Sequence, residues 1–176
     1  MNRMVRASVF EGLFLHGVAQ SAELTGLLRG HGFDGTRMEA EYPALLFNVC
    51  LETARKHLFL RLSMADGYRA LGEAQVQGLR QTLVGKVMAQ GINLVSPSRL
   101  IKMTPRLFQV DSTPVKVTPI ERGPTSWLVS FVGDPTMQQD YVSGIISGLL
   151  RVNGVTPSCR ARATSPGDFE VEVSWS

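Results

Sequence analysis

A chain of 176 residues can bury one sizeable core and is short for two ordinary domains. With 44% hydrophobic and 19% charged residues it lies well away from the disordered regime. The formal net charge is only +3 and the Lys and Arg residues are scattered, which argues against a nucleic-acid partner in spite of a pI near 9.1.

The N-terminus carries Arg3 and Arg6 ahead of Val9, Phe10, Leu13 and Phe14, but Glu11 and His16 interrupt the apolar stretch, so it makes a poor signal peptide. The apolar runs fall far short of the roughly 20 residues a bilayer-spanning helix needs. The expectation is a cytoplasmic protein with no membrane partner. A short helix over 21–29 stops at Gly30 and Gly32. Pro43 suits a first helical position, and Leu46, Val49, Cys50, Thr53, Ala54, His57 and Leu58 then recur at helical spacing, which predicts one buried face. Ser63 to Asp66 has the spacing of a capping box and opens a long helical stretch over 64–90, punctuated by Gly72, Gly78 and Gly85. Ser96-Pro97 opens a further helix that Pro105 ends or kinks.

The period changes near Asp111. Residues 114–120 alternate, Glu121 to Pro124 turn, and 126–132 alternate again, which reads as a β-hairpin. Gly133-Asp134-Pro135 breaks it before a helix over 136–152. A second hairpin joins 155–163 to 168–175 around Ser165-Pro166-Gly167; in its last strand Phe169, Val171, Val173 and Trp175 face one way and Glu170, Glu172 and Ser174 the other. The fold class is therefore α+β: one domain over 1–176, with a helical layer over 1–110 and a four-stranded antiparallel sheet of ββαββ order over 111–176.

Patterns that carry chemistry are sparse. Gly30-His31-Gly32-Phe33-Asp34-Gly35 matches G-x-G-x-x-G, but it follows a helix, where a dinucleotide site needs a strand before it; a helix-ending turn explains it better. His16, His31 and His57 are far apart and none has ligand spacing. Cys50 and Cys159 form no CxxC and read as reduced core thiols. Glu39 and Glu41 lack a second catalytic group. Arg99, Lys102 and Arg106, extended by Arg55, Lys56 and Arg61, read as a solvated basic face or an anion contact.

The most informative segment is 141–150. Tyr141, Val142, Ile145, Ile146, Leu149 and Leu150 form an apolar stripe, while Ser143, Gly144, Ser147 and Gly148 form a stripe of small residues. Two interior glycines cost a helix roughly 1 kcal/mol each, so close packing must compensate. Either the helix lies tightly on its own sheet, or a partner helix or ligand approaches it. Tyr141, Gly144 and Gly148 are the candidate interface or ligand-contact residues.

Phe10-Glu11-Gly12-Leu13, Gly32-Phe33-Asp34, Glu41-Tyr42-Pro43, Gly72, Gly78, Thr82-Leu83-Val84-Gly85 and Ser96-Pro97-Ser98-Arg99-Leu100 follow one another in a characteristic order. In this the chain resembles, over nearly its whole length, an uncharacterised family of roughly 200-residue proteins expanded in myxobacteria. It departs from that family at Asn93 to Pro97, where a glycine would precede the proline. The layout around 141–150 is also similar to the superfamily of four-vinyl-reductase sensory domains, haem-nitric-oxide-binding domains and TRAPP transport-particle subunits. That resemblance implies a small-ligand pocket or a protein-binding scaffold. The zinc-type Cys and His pattern and the Tyr-x-Ser-x-Arg haem motif of those relatives are absent, so no cofactor and no metal is expected. The combined expectation is a non-enzymatic sensory or regulatory domain, working as a homodimer. It would bind a small apolar ligand between helical layer and sheet, or a partner protein. The alternative is a pure protein–protein interaction scaffold with no ligand.

Overall fold

Val5 sets the first element. A computed structural model describes residues 3–82, 91, 95–108 and 115–176, and in it Val5 lies buried in β1 (Met4–Arg6), opposite Tyr42 of β2 (Glu41–Pro43) in a two-stranded antiparallel ladder. The helical layer expected from the sequence thus contains a small sheet. β1 runs directly into α1 (Ala7–Phe10), which continues as a π-helix, Glu11–Gly17. Helix α2 (Ala22–Gly30) starts at Ser21, whose hydroxyl accepts from the Leu24 amide at 3.0 Å. It ends in a Schellman turn: the Phe33 amide donates to the Leu28 carbonyl, the Gly32 amide donates to that of Arg29, and Gly32 has φ +105°. The G-x-G-x-x-G pattern is this turn.

Helix α3 (Ala44–Leu58) follows Pro43, and α4 (Met64–Leu79) follows Ser63, whose hydroxyl accepts from the Asp66 amide and donates to the Asp66 carboxylate at 2.6 Å. The buried face of α3 is turned from the one the spacing predicts. Phe47 and Leu51 are buried, whereas Val49 is 44% exposed. The reason is aromatic: Phe47 joins a cluster with Phe10, Phe14, Phe33 and Tyr42, their ring centroids 4.6–5.9 Å apart, and that cluster fixes which side of α3 faces inward.

The second core is built on the sheet. Helix α5 (Pro97–Lys102) has Ser96 as N-cap and proline in its first turn; it breaks at Met103, and Pro105 falls in the first turn of α6 (Thr104–Phe108), where a missing N–H costs nothing. Then come β3 (Lys116–Gly123), β4 (Ser126–Val132), α7 (Gln139–Val152), β5 (Pro157–Ser165) and β6 (Asp168–Trp175). The strand order is β3-β4-β6-β5, antiparallel throughout, so the two hairpins meet through their inner strands. The α+β class and the ββαββ order are thereby established. Phe169, Val171 and Val173 face inward with Val117, Trp127, Val129 and Phe131, and Phe131 stacks on Phe169 at 4.7 Å. The long helix expected over 64–90 ends at Leu79, where the Gln81 and Thr82 amides turn back onto the Gly78 and Leu79 carbonyls; residues 83–90 and the expected boundary near Asp111 lie outside the described residues.

Helix α7 starts later than the sequence suggests. Asp134 accepts from the Thr136 amide at 2.9 Å and from its hydroxyl at 2.6 Å, which holds 134–136 as a turn, and the Gln138 side chain then caps the helix.

Candidate functional site

Helix α7 has two working faces. Val142, Ile146 and Leu150 pack on the sheet. The small stripe faces α4 rather than the sheet. A Cβ added to Gly72 would fall on the Tyr141 carbonyl oxygen and lie 2.8 Å from the Gly144 Cα, and one added to Gly144 would fall on the Arg69 carbonyl. The two helices therefore meet backbone to backbone. Gly148 has more room: its nearest neighbour would be the Val76 side chain, at 3.0 Å. The C-terminal half of α4 makes a second crossing of this kind, where a Cβ on Gly78 would strike the Gly12 carbonyl and lie 2.5 Å from the Gly17 amide. The glycines of α4 thus mark two helix crossings.

Polar groups flank the first crossing. The Tyr141 hydroxyl donates to the Gln75 side-chain carbonyl at 2.8 Å, and burial pushes its pKa up. Tyr141 also packs on Phe47 at 5.7 Å, so it belongs to the aromatic core although α7 otherwise serves the sheet. The Ser147 hydroxyl donates to Glu73 at 2.8 Å, and Arg151 lies 3.5 Å from the same carboxylate. The Gln75 amide nitrogen and the Ser143 hydroxyl are buried without a hydrogen-bond partner. At the N-terminal end of α7, Arg3 pairs with the buried Asp134 at 3.0 Å and donates to Thr136 at 3.2 Å, while Asn48 donates to the Thr136 carbonyl at 2.8 Å. Burial lowers the Arg3 pKa, against the pull of Asp134. This cluster ties the first strand to the segment between β4 and α7; the sequence reading missed it, and the Asp134-x-Thr136 turn pattern was its one visible trace.

The remaining candidates are dispersed. His16 lies 3.5 Å from Glu11, His31 3.0 Å from the Thr53 hydroxyl, and His57, 3.4 Å from the Ser21 hydroxyl, packs half-buried between α2 and α3. Cys50 and Cys159 are free and buried in different cores, and burial pushes each thiol up to about 12, so neither is a thiolate near neutral pH. Of the residues of the expected basic face, Arg55 and Lys56 pair with Glu52 on α3, and Lys102 reaches Glu121 of β3 and lies over the Trp127 ring. Glu39 and Glu41 line an open surface pocket with Arg6 and Ser8. Among the described residues no three His, Cys, Asp or Glu side chains converge as a metal site, and no helix is long and apolar enough to cross a membrane.

A model of the family described as a protein of unknown function, DUF2378, matches residues 3–176. No curated protein matches the chain. Among solved structures the fold is that of H-NOX domains. The Fe(II) unliganded mutant H-NOX protein from K. algicida superposes with a TM-score of 0.68 at 10% identity, covering 98% of this chain and 97% of that one. An oxygen-binding H-NOX domain related to soluble guanylate cyclases gives 0.68 at 11%, covering 96% and 91%. A third, described as modulating heme redox potential through porphyrin distortion, gives 0.65 at 12%, covering 86% and 84%. Identity this low speaks for the fold alone.

A haem needs an axial His, Cys, Met or Tyr facing an interior space. The three histidines here are engaged at or near the surface, and the two thiols are protonated and packed. Tyr42 accepts from the Glu39 amide, Tyr68 donates to Glu52, and Tyr141 donates to Gln75. These His, Cys and Tyr residues do not fit a haem.

Proposed function

We propose that this chain, which belongs to the DUF2378 family of proteins of unknown function, is a non-enzymatic sensory or regulatory domain that responds to a small apolar ligand or a partner protein. One observation carries the reading. Helix α7 serves both cores at once, with Tyr141 in the aromatic core, Val142, Ile146 and Leu150 on the sheet, and the small-residue stripe against α4. A molecule that displaces either core must move a helix shared with the other, which is what coupling between two sites requires. The likeness to an oxygen-binding H-NOX domain supports the sensory part of the reading by analogy of fold. The buried thiols, each pushed up to about 12, support its non-enzymatic part, because neither is a nucleophilic thiolate near neutral pH. In this reading the domain acts as a homodimer in the cytoplasm, with Tyr141, Gly144 and Gly148 transmitting rather than contacting the signal.

The second reading, a protein–protein interaction scaffold without a ligand, is favoured by the backbone contact of Gly72 and Gly144, which leaves no room for a small molecule at that crossing. Native mass spectrometry of the protein purified from its source separates the two. A dimer carrying a small-molecule increment supports the ligand reading. A bare chain retained with a protein partner supports the scaffold. A bare monomer with neither counts against both.

A further inference from the structure

The turn between α3 and α4 breaks the usual rule for surface side chains. It is closed by the Leu62 amide donating to the Phe59 carbonyl at 3.0 Å, and it holds Leu60 77% exposed, Leu62 45% exposed and Met64 64% exposed. Single exposed apolar residues are ordinary; three within five positions of one turn are not. None of the three is needed by the aromatic core, which α3 and α4 fill with Phe47, Leu51, Tyr68 and Leu71.

The charges around the turn have one sign to spare. Its own charged residue is Arg61, which is exposed and takes no part in the ion pairs among the described residues. Lys56, one turn back on α3, is 64% exposed and shares the single Glu52 carboxylate, 3.1 Å away, with Arg55. The acids nearest in sequence are already matched by arginines: Glu52 by Arg55 at 2.8 Å and Asp66 by Arg69 at 2.8 Å. What remains is an apolar tip with cations at its shoulder. The exposed part of the three tip side chains amounts to on the order of 300 Å², well short of the roughly 800 Å² per partner of a stable protein interface.

We infer that the α3–α4 turn is a peripheral membrane contact: Leu60, Leu62 and Met64 enter the headgroup–acyl boundary of an anionic bilayer while Lys56 and Arg61 meet its phosphates. This departs from the sequence expectation of no membrane partner, which looked only for a spanning segment. An interfacial contact needs a handful of apolar side chains and a basic rim instead. It is independent of the ligand or partner reading, since it uses neither α7 nor either core.

The test is co-sedimentation of the full chain with vesicles of phosphatidylcholine alone and of equal phosphatidylcholine and phosphatidylglycerol, at low and high salt. Binding is expected to the anionic vesicles only, weakening with salt. It should fall about tenfold for Leu60→Asp and again for Met64→Asp, and about fivefold for Arg61→Gln. These positions are exposed, so circular dichroism melts should match the parent. Absence of binding to anionic vesicles at low salt overturns the inference. So does binding that Leu60→Asp and Met64→Asp leave intact, because the basic surface alone would then explain it. A change of oligomeric state in those variants without a change in vesicle binding overturns it in favour of a second copy of this chain.

Discussion

Adding one methyl group at Gly144 tests the helix crossing directly. In an ordinary helix interior Gly→Ala stabilises by about 1 kcal/mol, because alanine has the better propensity and a smaller entropy loss. At Gly144 the new Cβ would fall on the Arg69 carbonyl, which belongs to a helix backbone and cannot rotate away. The helices must separate instead. That loosens the Gly72 contact and strains the Tyr141–Gln75 hydrogen bond across the same interface. Overpacking of this kind costs about 1–3 kcal/mol after relaxation. With no flexible side chain to give way, Gly144→Ala should destabilise by about 2 kcal/mol net of the propensity gain. In a chain of this size that lowers Tm by about 4–8 °C. Gly26 in α2 is the control: nothing lies within 4 Å of its added Cβ, so Gly26→Ala should raise stability by up to about 1 kcal/mol. Urea titrations of both variants, with the m-value checked for constancy, give the comparison. If Gly144→Ala proves as stable as the parent, or gains as Gly26→Ala does, the backbone-to-backbone crossing is wrong.

Tyr141→Phe removes the hydroxyl and leaves the Gln75 carbonyl oxygen buried without its donor, so it should cost about 1–3 kcal/mol in the same titrations; a neutral result would mean that Gln75 finds another partner. Glu52 is held down to about 2, first by its hydrogen bond from Arg55 and then by those from Tyr68 and Lys56. A depressed carboxylate adds stability that is present above its usual value of 4.5 and lost as the pH falls toward 2. The site is open to solvent, so the parent should lose only about 1 kcal/mol over that window relative to Glu52→Gln, read from urea midpoints at both ends. Cys50 and Cys159, buried and pushed up to about 12, should not react with a disulfide reagent in the native chain while both react at once in denaturant. Rapid labelling of either one without denaturant would show that its core opens.

Local chemistry is what the sequence alone determined. Ser63 and Ser96 announced two helix starts, Gly32 one helix end, and the alternation of Phe169, Val171 and Val173 a strand with one wet face, because caps, turns and pleats are settled within a few residues. The strand–helix order of the C-terminal part followed from these. The small stripe on α7 was also legible, since glycine inside a helix needs a reason. What fills the stripe was not legible: Gly72 and Gly144 are brought together by the crossing of two helices, and the Tyr141–Gln75 bond joins positions 66 apart. The ladder of β1 on β2 was missed because three-residue strands show no period. The face of α3 was misjudged because spacing gives a stripe but not its orientation, which the aromatic cluster around Phe47 decided. The apolar turn at Leu60 to Met64 follows the same logic, since alternation there reads equally as buried or exposed until α3 and α4 are packed. A sequence records which side chains prefer to leave water; only the tertiary packing decides which of them do.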